Sequence, residues 1–164
     1  MNVPVVSATR RNHAIEHATI AILFRRRGQV IGNVAARSDH RGFFLRGPFS
    51  VEEVQSAAGE ALARLRAGES HLARTHLCGT NLAVTAMAAG AAAIAGAGFG
   101  KQRNWSLGLL MATGATLLAP RAGLALQRLA TTDADVGETR ITAVREVRAG
   151  SPTTRHIRVS LGTP

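Results

Sequence analysis

The sequence predicts an α+β protein in three parts: a small helix-strand-strand-helix metal-binding domain over residues 8–81, a transmembrane helical hairpin over 82–129, and a C-terminal basic β-hairpin over 130–164. Three observations predict it. Two segments of helical period flank two short strand-like runs bounded by glycine. Two apolar, almost uncharged runs follow, separated by a polar turn. The chain then ends in two runs of alternating character around Gly150-Ser151-Pro152.

In the first part, Asn12 is expected to cap a helix that begins near His13. Ile15, Thr19, Ile22 and Leu23 form its apolar stripe, and Arg25–Arg27 with Gly28 give a basic last turn and a stop. Val30, Ile31 and Val34 suggest a strand within 29–37. Residues 38–42 read as a turn, and Gly42–Arg46 as a second strand closed by Gly47 and Pro48. Ser50 and Glu53 have the spacing of a capping box. The helix they start carries Val51, Val54, Ala58, Ala61, Leu62 and Leu65 on one face and stops at Gly68.

Leu82–Gly100 is 19 residues without a charge, with Thr85 as its one polar side chain. About 20 residues span a bilayer core as a helix. A GKQRN turn (100–104) leads to Trp105–Pro120, again uncharged, and the apolar pattern continues past Arg121 to Leu129. Gly90, Gly96, Gly100, Gly108 and Gly114 would permit close helix approach. The competing expectation is a buried soluble hairpin. Arg64, Arg66, Arg74, Arg121 and Arg128 flank the spans on the terminal side, against Lys101 and Arg103 in the turn. The positive-inside rule then predicts a two-span protein with both termini cytoplasmic. In the last part, Ile157, Val159 and Leu161 alternate with His156, Arg158 and Ser160, the period of a half-buried strand. This hairpin either completes the sheet of the first domain or stands as a basic appendage.

Composition narrows the classes. Twenty basic residues against 10 acidic give a net charge of +10, and every basic residue but Lys101 is arginine. One cysteine excludes an internal disulfide scaffold and a cysteine-only zinc ribbon. Hydrophobic residues make up 46% of the chain and charged ones 18%, which argues against disorder. No signal peptide is expected, because arginines interrupt the first 30 residues. With 4% aromatics and no recognised nucleic-acid motif, anionic lipid rather than nucleic acid is the expected partner of the arginines.

The chemistry concentrates in His13-Ala14-Ile15-Glu16-His17. Histidines four apart on a helix face the same side, so both rings can bind one metal ion. Glu16 can turn toward a metal-bound water as general base. The order is His-x-x-Glu-His, the reverse of the commoner zinc-peptidase order. The competing reading is two ordinary polar residues on a half-exposed helix. Cys78 lies in a polar, glycine-containing turn beside His76, a placement that favours a soft third ligand over the packing role usual for a lone cysteine. Two imidazoles and a thiolate suit zinc, with ferrous iron as the alternative, and leave a fourth position for water. His71 and His76 are spare imidazoles, Asp39 and His40 are candidate proton-transfer groups, and His156 reads as a strand surface residue.

These motifs carry a resemblance. HAIEH resembles the metal-binding helix of S-ribosylhomocysteine lyase, and 38–65 resembles that enzyme's glycine-aromatic strand, turn and following helix. His76-Leu77-Cys78-Gly79-Thr80 resembles its Cys-Gly-Thr segment. The pitrilysin-like metallohydrolase fold shares the His-x-x-Glu-His element. The sequence also looks like a member of an uncharacterised bacterial membrane family with Asn-His-x-x-Glu-His and Cys-Gly-Thr-Asn signatures. The resemblance implies His13, His17 and Cys78 as ligands and Glu16 as the base. Where the lyase has its catalytic cysteine, this chain has Asp39 or His40, so the lyase reaction is not carried over.

The leading expectation is thus a membrane-anchored, zinc-dependent, hydrolase-like metalloenzyme acting on a small molecule or peptide. The alternatives are a non-catalytic membrane interaction protein with a structural metal, and a metal-free membrane adaptor. A homo-oligomer is open.

Overall fold

The computed structural model describes residues 4–28, 34–98, 103–151 and 154–163, and for 148–151 the backbone alone. It divides into two compact units, Met1–Arg74 with Thr131–Pro164, and Thr75–Ala130.

The first unit is a four-stranded antiparallel sheet with two helices on one face. Its elements are α1 (Pro4–Arg27), β1 (Ala35–Asp39), β2 (Gly42–Gly47), α2 (Val51–Arg66), a 3-10 turn (Ser70–Ala73), β3 (Arg140–Ser151) and β4 (Thr154–Gly162). The strand order is β1-β2-β4-β3. The C-terminal hairpin therefore completes the sheet of the first unit: Phe43 pairs with Val159 and Leu45 with Ile157. The alternation seen in β4 explains this. Ile157, Val159 and Leu161 point to the helices, where they join Phe43, Leu45, Ile15, Ile22, Val54 and Leu62 in one core. Without the hairpin, β2 would keep an unpaired edge. Gly42 is required where the two strands meet, because its φ is +135° and a Cβ would collide with the carbonyl of Val159.

Two boundaries differ from the sequence expectation. Asn12 is not a cap: α1 begins at least two turns earlier, at Pro4, and Asn12 lies buried within it. Its side-chain amide donates instead to the carbonyl of Asp39 at 2.8 Å, fastening α1 to the end of β1. Capping and tertiary anchoring use the same short amide, and tertiary contact prevails here. Second, the turn between β1 and β2 is only His40–Arg41, since Ser38, Asp39 and Gly42 belong to the ladder. Residues 29–33 of the expected first strand lie outside the described residues, as do 100–102 of the GKQRN turn and Pro152 of the last turn.

The start of α2 follows its sequence signature. Ser50 accepts from the Glu53 amide at 3.2 Å, and the Glu53 carboxylate accepts from the Ser50 amide at 2.7 Å. Glu53 also receives Arg27 from the end of α1, so one residue caps one helix and pairs with the other. Arg26–Glu60 at 2.6 Å and Arg64–Glu69 at 2.6 Å continue this ionic seam.

The second unit is a helical hairpin, α3 (Gly79–Ala97) and α4 (Trp105–Leu126), with a single π-type turn over Gln127–Thr131 at its end. Both helices are long and apolar enough to cross a membrane. Only 17% and 11% of their most apolar stretches are buried, so neither has the environment of a soluble core helix. Leu82, Met87, Leu109, Leu110, Leu117 and Leu118 are among their exposed side chains. The helices touch at Gly96 and Gly108: a Cβ on Gly96 would come within 2.9 Å of the Gly108 Cα. Gly90 and Gly114 would meet nothing within 4 Å and do not serve the crossing. Gly123, which the sequence pattern does not single out, does: its Cβ would lie 2.8 Å from Cγ and 3.1 Å from Cα of Asn81. Pro120 sits inside α4 without ending it.

Candidate metal centre

His13, Glu16 and His17 lie on consecutive turns of α1, with Glu16 and His17 buried and His13 half-buried. The two imidazoles meet edge to face with centroids 4.3 Å apart. Each ring is held from behind by a main-chain carbonyl. His13 Nδ1 donates to Thr131 at 3.0 Å, and His17 Nδ1 donates to Ala73 at 2.8 Å. A carbonyl oxygen only accepts, so the proton of each neutral ring sits on Nδ1. Nε2 then carries the lone pair. This is the arrangement that orients metal-binding histidines and fixes their tautomer.

Glu16 accepts a hydrogen bond from Ser38 Oγ at 2.5 Å. Ser38 belongs to β1, whose end is fastened to α1 by Asn12. One strand thus supports both the helix and the carboxylate it carries.

Cys78 stands at the N-cap of α3, is 7% exposed, and makes no side-chain capping bond. The segment before it is built by two amides: Gln127, which the sequence reading did not single out, and Asn81, the last residue of the Cys-Gly-Thr-Asn signature. Gln127 is fully buried and brackets Thr75, accepting from its N–H at 3.0 Å and donating to its carbonyl at 2.9 Å. Asn81 donates to the carbonyl of His76 at 3.1 Å. An uncharged polar residue inside an apolar run was the available signal for Gln127.

His13, His17 and Cys78 make a His/His/Cys cluster that could hold a metal ion, their ligand atoms lying within 4.8 Å of one another. Ligand atoms of a tetrahedral zinc site, at bond lengths of about 2.0–2.3 Å, sit roughly 3.5 Å apart.

The remaining candidates lie elsewhere. Asp39 is bound by Arg158, with both guanidinium contacts at 2.7 Å, and accepts from the Arg41 amide at 2.8 Å. The Arg158 hydrogen bonds hold its carboxyl below the usual carboxylate range. A carboxylate so held is a weak proton acceptor near neutrality. His40 is exposed on the β1–β2 turn. His71 is exposed, 4.0 Å from Glu69, and His76 is exposed with its carbonyl used by Asn81. His156 is partly exposed on β4.

Fold and cluster together describe an α+β protein with a candidate metal centre and two helices of membrane-spanning length. Residues 8–144 match the sequence profile of a domain of unknown function, DUF6391, and the chain belongs to that family. No curated protein and no solved structure matches it, so the comparisons do not support the expected resemblance to the lyase and metallohydrolase folds.

Proposed function

We propose that this chain is a membrane-anchored metalloenzyme of hydrolytic type, with zinc held by His13, His17 and Cys78 and with Glu16 as general base. The observation that carries the reading is the pair of Nδ1 bonds to Thr131 and Ala73, which orient two imidazoles of one helix face, together with the His/His/Cys cluster they belong to. Ferrous iron is the alternative metal, but an S/N/N set suits zinc. Three protein ligands would leave a fourth position, and zinc bound there would supply Lewis-acid chemistry that lowers the pKa of water. The chain's own contribution is orientation and proton movement. Glu16, its rotamer fixed by Ser38, takes the proton. Of the two further proton carriers, Asp39 is committed to Arg158, which favours His40.

The exposed apolar surface of α3 and α4 supports insertion in a bilayer. The arginine balance at the ends of the spans supports cytoplasmic termini. The His-x-x-Glu-His order and Cys-Gly-Thr segment support kinship with the lyase and pitrilysin-like metal sites. The lyase's substrate is not carried over, because no thiol stands at 39 or 40.

The burial of His17 and Cys78 favours a second reading, a structural metal closed by a fourth protein ligand in a non-catalytic membrane protein. Cobalt substitution separates the two. An open site shifts its visible d–d bands when azide is added, whereas a closed tetrahedral site leaves them unchanged. The enzyme reading expects the shift, in wild type and in Glu16→Gln alike. An unchanged spectrum contradicts it.

A further inference from the structure

We propose that the open face of the four-stranded sheet binds anionic phospholipid headgroups. The inner face of the sheet is covered by α1 and α2. On the outer face, one row of side chains crosses all four strands: Arg37 opposite Phe44, Phe44 opposite Arg158, and Arg158 opposite Arg145. Three inter-strand spacings make this row about 14 Å long. Arg46 and the turn residue Arg41 extend the charge.

Carboxylates are distributed unevenly over this unit. Arg26, Arg27 and Arg64 on the helices are each paired with glutamate. Among the described residues of the open sheet face the one carboxylate is Asp39, and it is spent on Arg158. Among the described residues, Arg37, Arg41, Arg46 and Arg145 have no ion pair. Arg145 stands directly across from Arg158, and like charges in that register are destabilising. Asp39 relieves one of the two guanidiniums, and an external anion would relieve the other.

The face is also grooved. A depression of about 680 Å³ is lined by Asp39, Arg41, Phe44, Arg145, Val147 and Arg158, among others. Phe44 and Val147 are each 43% exposed beside these cations. Phosphate meets guanidinium there, and the glycerol and upper acyl carbons meet the two apolar side chains. Phe44 already has Arg158 over its ring at 4.3 Å, so a stacking platform for nucleic-acid bases is poorly served. The choice of lipid as the source of phosphate rests on the membrane reading above, while the charge asymmetry stands without it.

The test uses the full chain in a non-ionic detergent, titrated with short-chain phosphatidylglycerol, short-chain phosphatidylcholine, sodium phosphate or a single-stranded oligonucleotide, with bound ligand counted by native mass spectrometry. Wild type should prefer phosphatidylglycerol over phosphatidylcholine by about tenfold or more. In Arg41→Glu/Arg145→Glu that preference should fall below about twofold. Both positions are exposed, and Arg41→Gln/Arg145→Gln serves if charge reversal impairs folding. Equal affinity for the two lipids, or a preference that survives both double variants, overturns the proposal. So does inorganic phosphate competing at the lipid's own concentration, or tighter binding of the oligonucleotide. The membrane reading is tested apart from it, by resistance to alkaline carbonate extraction from phosphatidylcholine vesicles, where the arginine face has no anionic headgroup to bind.

Discussion

Gly123→Ala should loosen the base of the helical hairpin, whereas Gly90→Ala should not. Both glycines lie inside apolar helices. A methyl group on Gly90 meets nothing within 4 Å. On Gly123 it lands on the Asn81 side-chain oxygen, 2.8 Å from Cγ and 3.1 Å from the Cα of α3. The backbone contact cannot swing away, so either α3 and α4 separate or Asn81 leaves its site. Overpacking of this kind costs about 1–3 kcal/mol. Displacing Asn81 also breaks its bond to His76, worth about 1 kcal/mol. The sum, about 2–4 kcal/mol, corresponds to a loss of roughly 5–15 °C in unfolding temperature for a chain of this size. Thermal unfolding of the full chain in detergent, followed by Trp105 fluorescence and by circular dichroism, reads it. Gly90→Ala should stay within about 2 °C of wild type. Asn81→Ala/Gly123→Ala should be less destabilised than the sum of its single changes, because the first removes the oxygen the second strikes. Equal unfolding temperatures for Gly123→Ala and Gly90→Ala would refute the close approach and the account of the hairpin built on it.

Three further outcomes follow from the same contacts. Gln127→Leu leaves the N–H and carbonyl of Thr75 without the partners they have now, and should cost about 2–4 kcal/mol and weaken metal retention, read by unfolding and by metal analysis. Asp39 has its carboxyl pKa lowered in the folded protein, so its pairing with Arg158 stabilises fully above the usual carboxylate range and is lost as pH falls through the lowered value. Asp39→Asn should therefore be about 1–3 kcal/mol less stable at neutral pH and lack that acid-dependent loss, a comparison made by denaturant titration across the acid range. Ser50→Ala removes one half of the α2 capping box and should cost about 1 kcal/mol in the same titration, with the fold retained.

What the sequence disclosed was local. The start of α2 was legible because Ser50 and Glu53 satisfy each other's amides without help from elsewhere. The stripe of α1 was legible from its period, and His13, Glu16 and His17 share one side because a helix requires it. The lengths of α3 and α4 follow from runs without charge. The rest depended on distant partners. Asn12 has the side chain of a cap, and only the position of Asp39 turns it into an anchor between α1 and β1. The insertion of β4 between β2 and β3 joins segments more than 100 residues apart, which no local pattern encodes. Arg158 looked like an exposed member of an alternating strand, yet Asp39 holds it almost buried on the open face. Of the glycines in the hairpin, the pattern could not separate Gly96 and Gly108, which meet, from Gly90 and Gly114, which do not.

The role of the histidine–cysteine cluster is tested most directly by metal content per chain, measured on detergent-purified wild type beside His17→Ala and Cys78→Ser. The chain should be purified without chelator and then exposed to zinc or ferrous iron. The account predicts about one tightly held metal ion in wild type and in Glu16→Gln, and its loss in both ligand variants. Wild type without metal after reconstitution, or variants that hold as much metal as wild type, would contradict it.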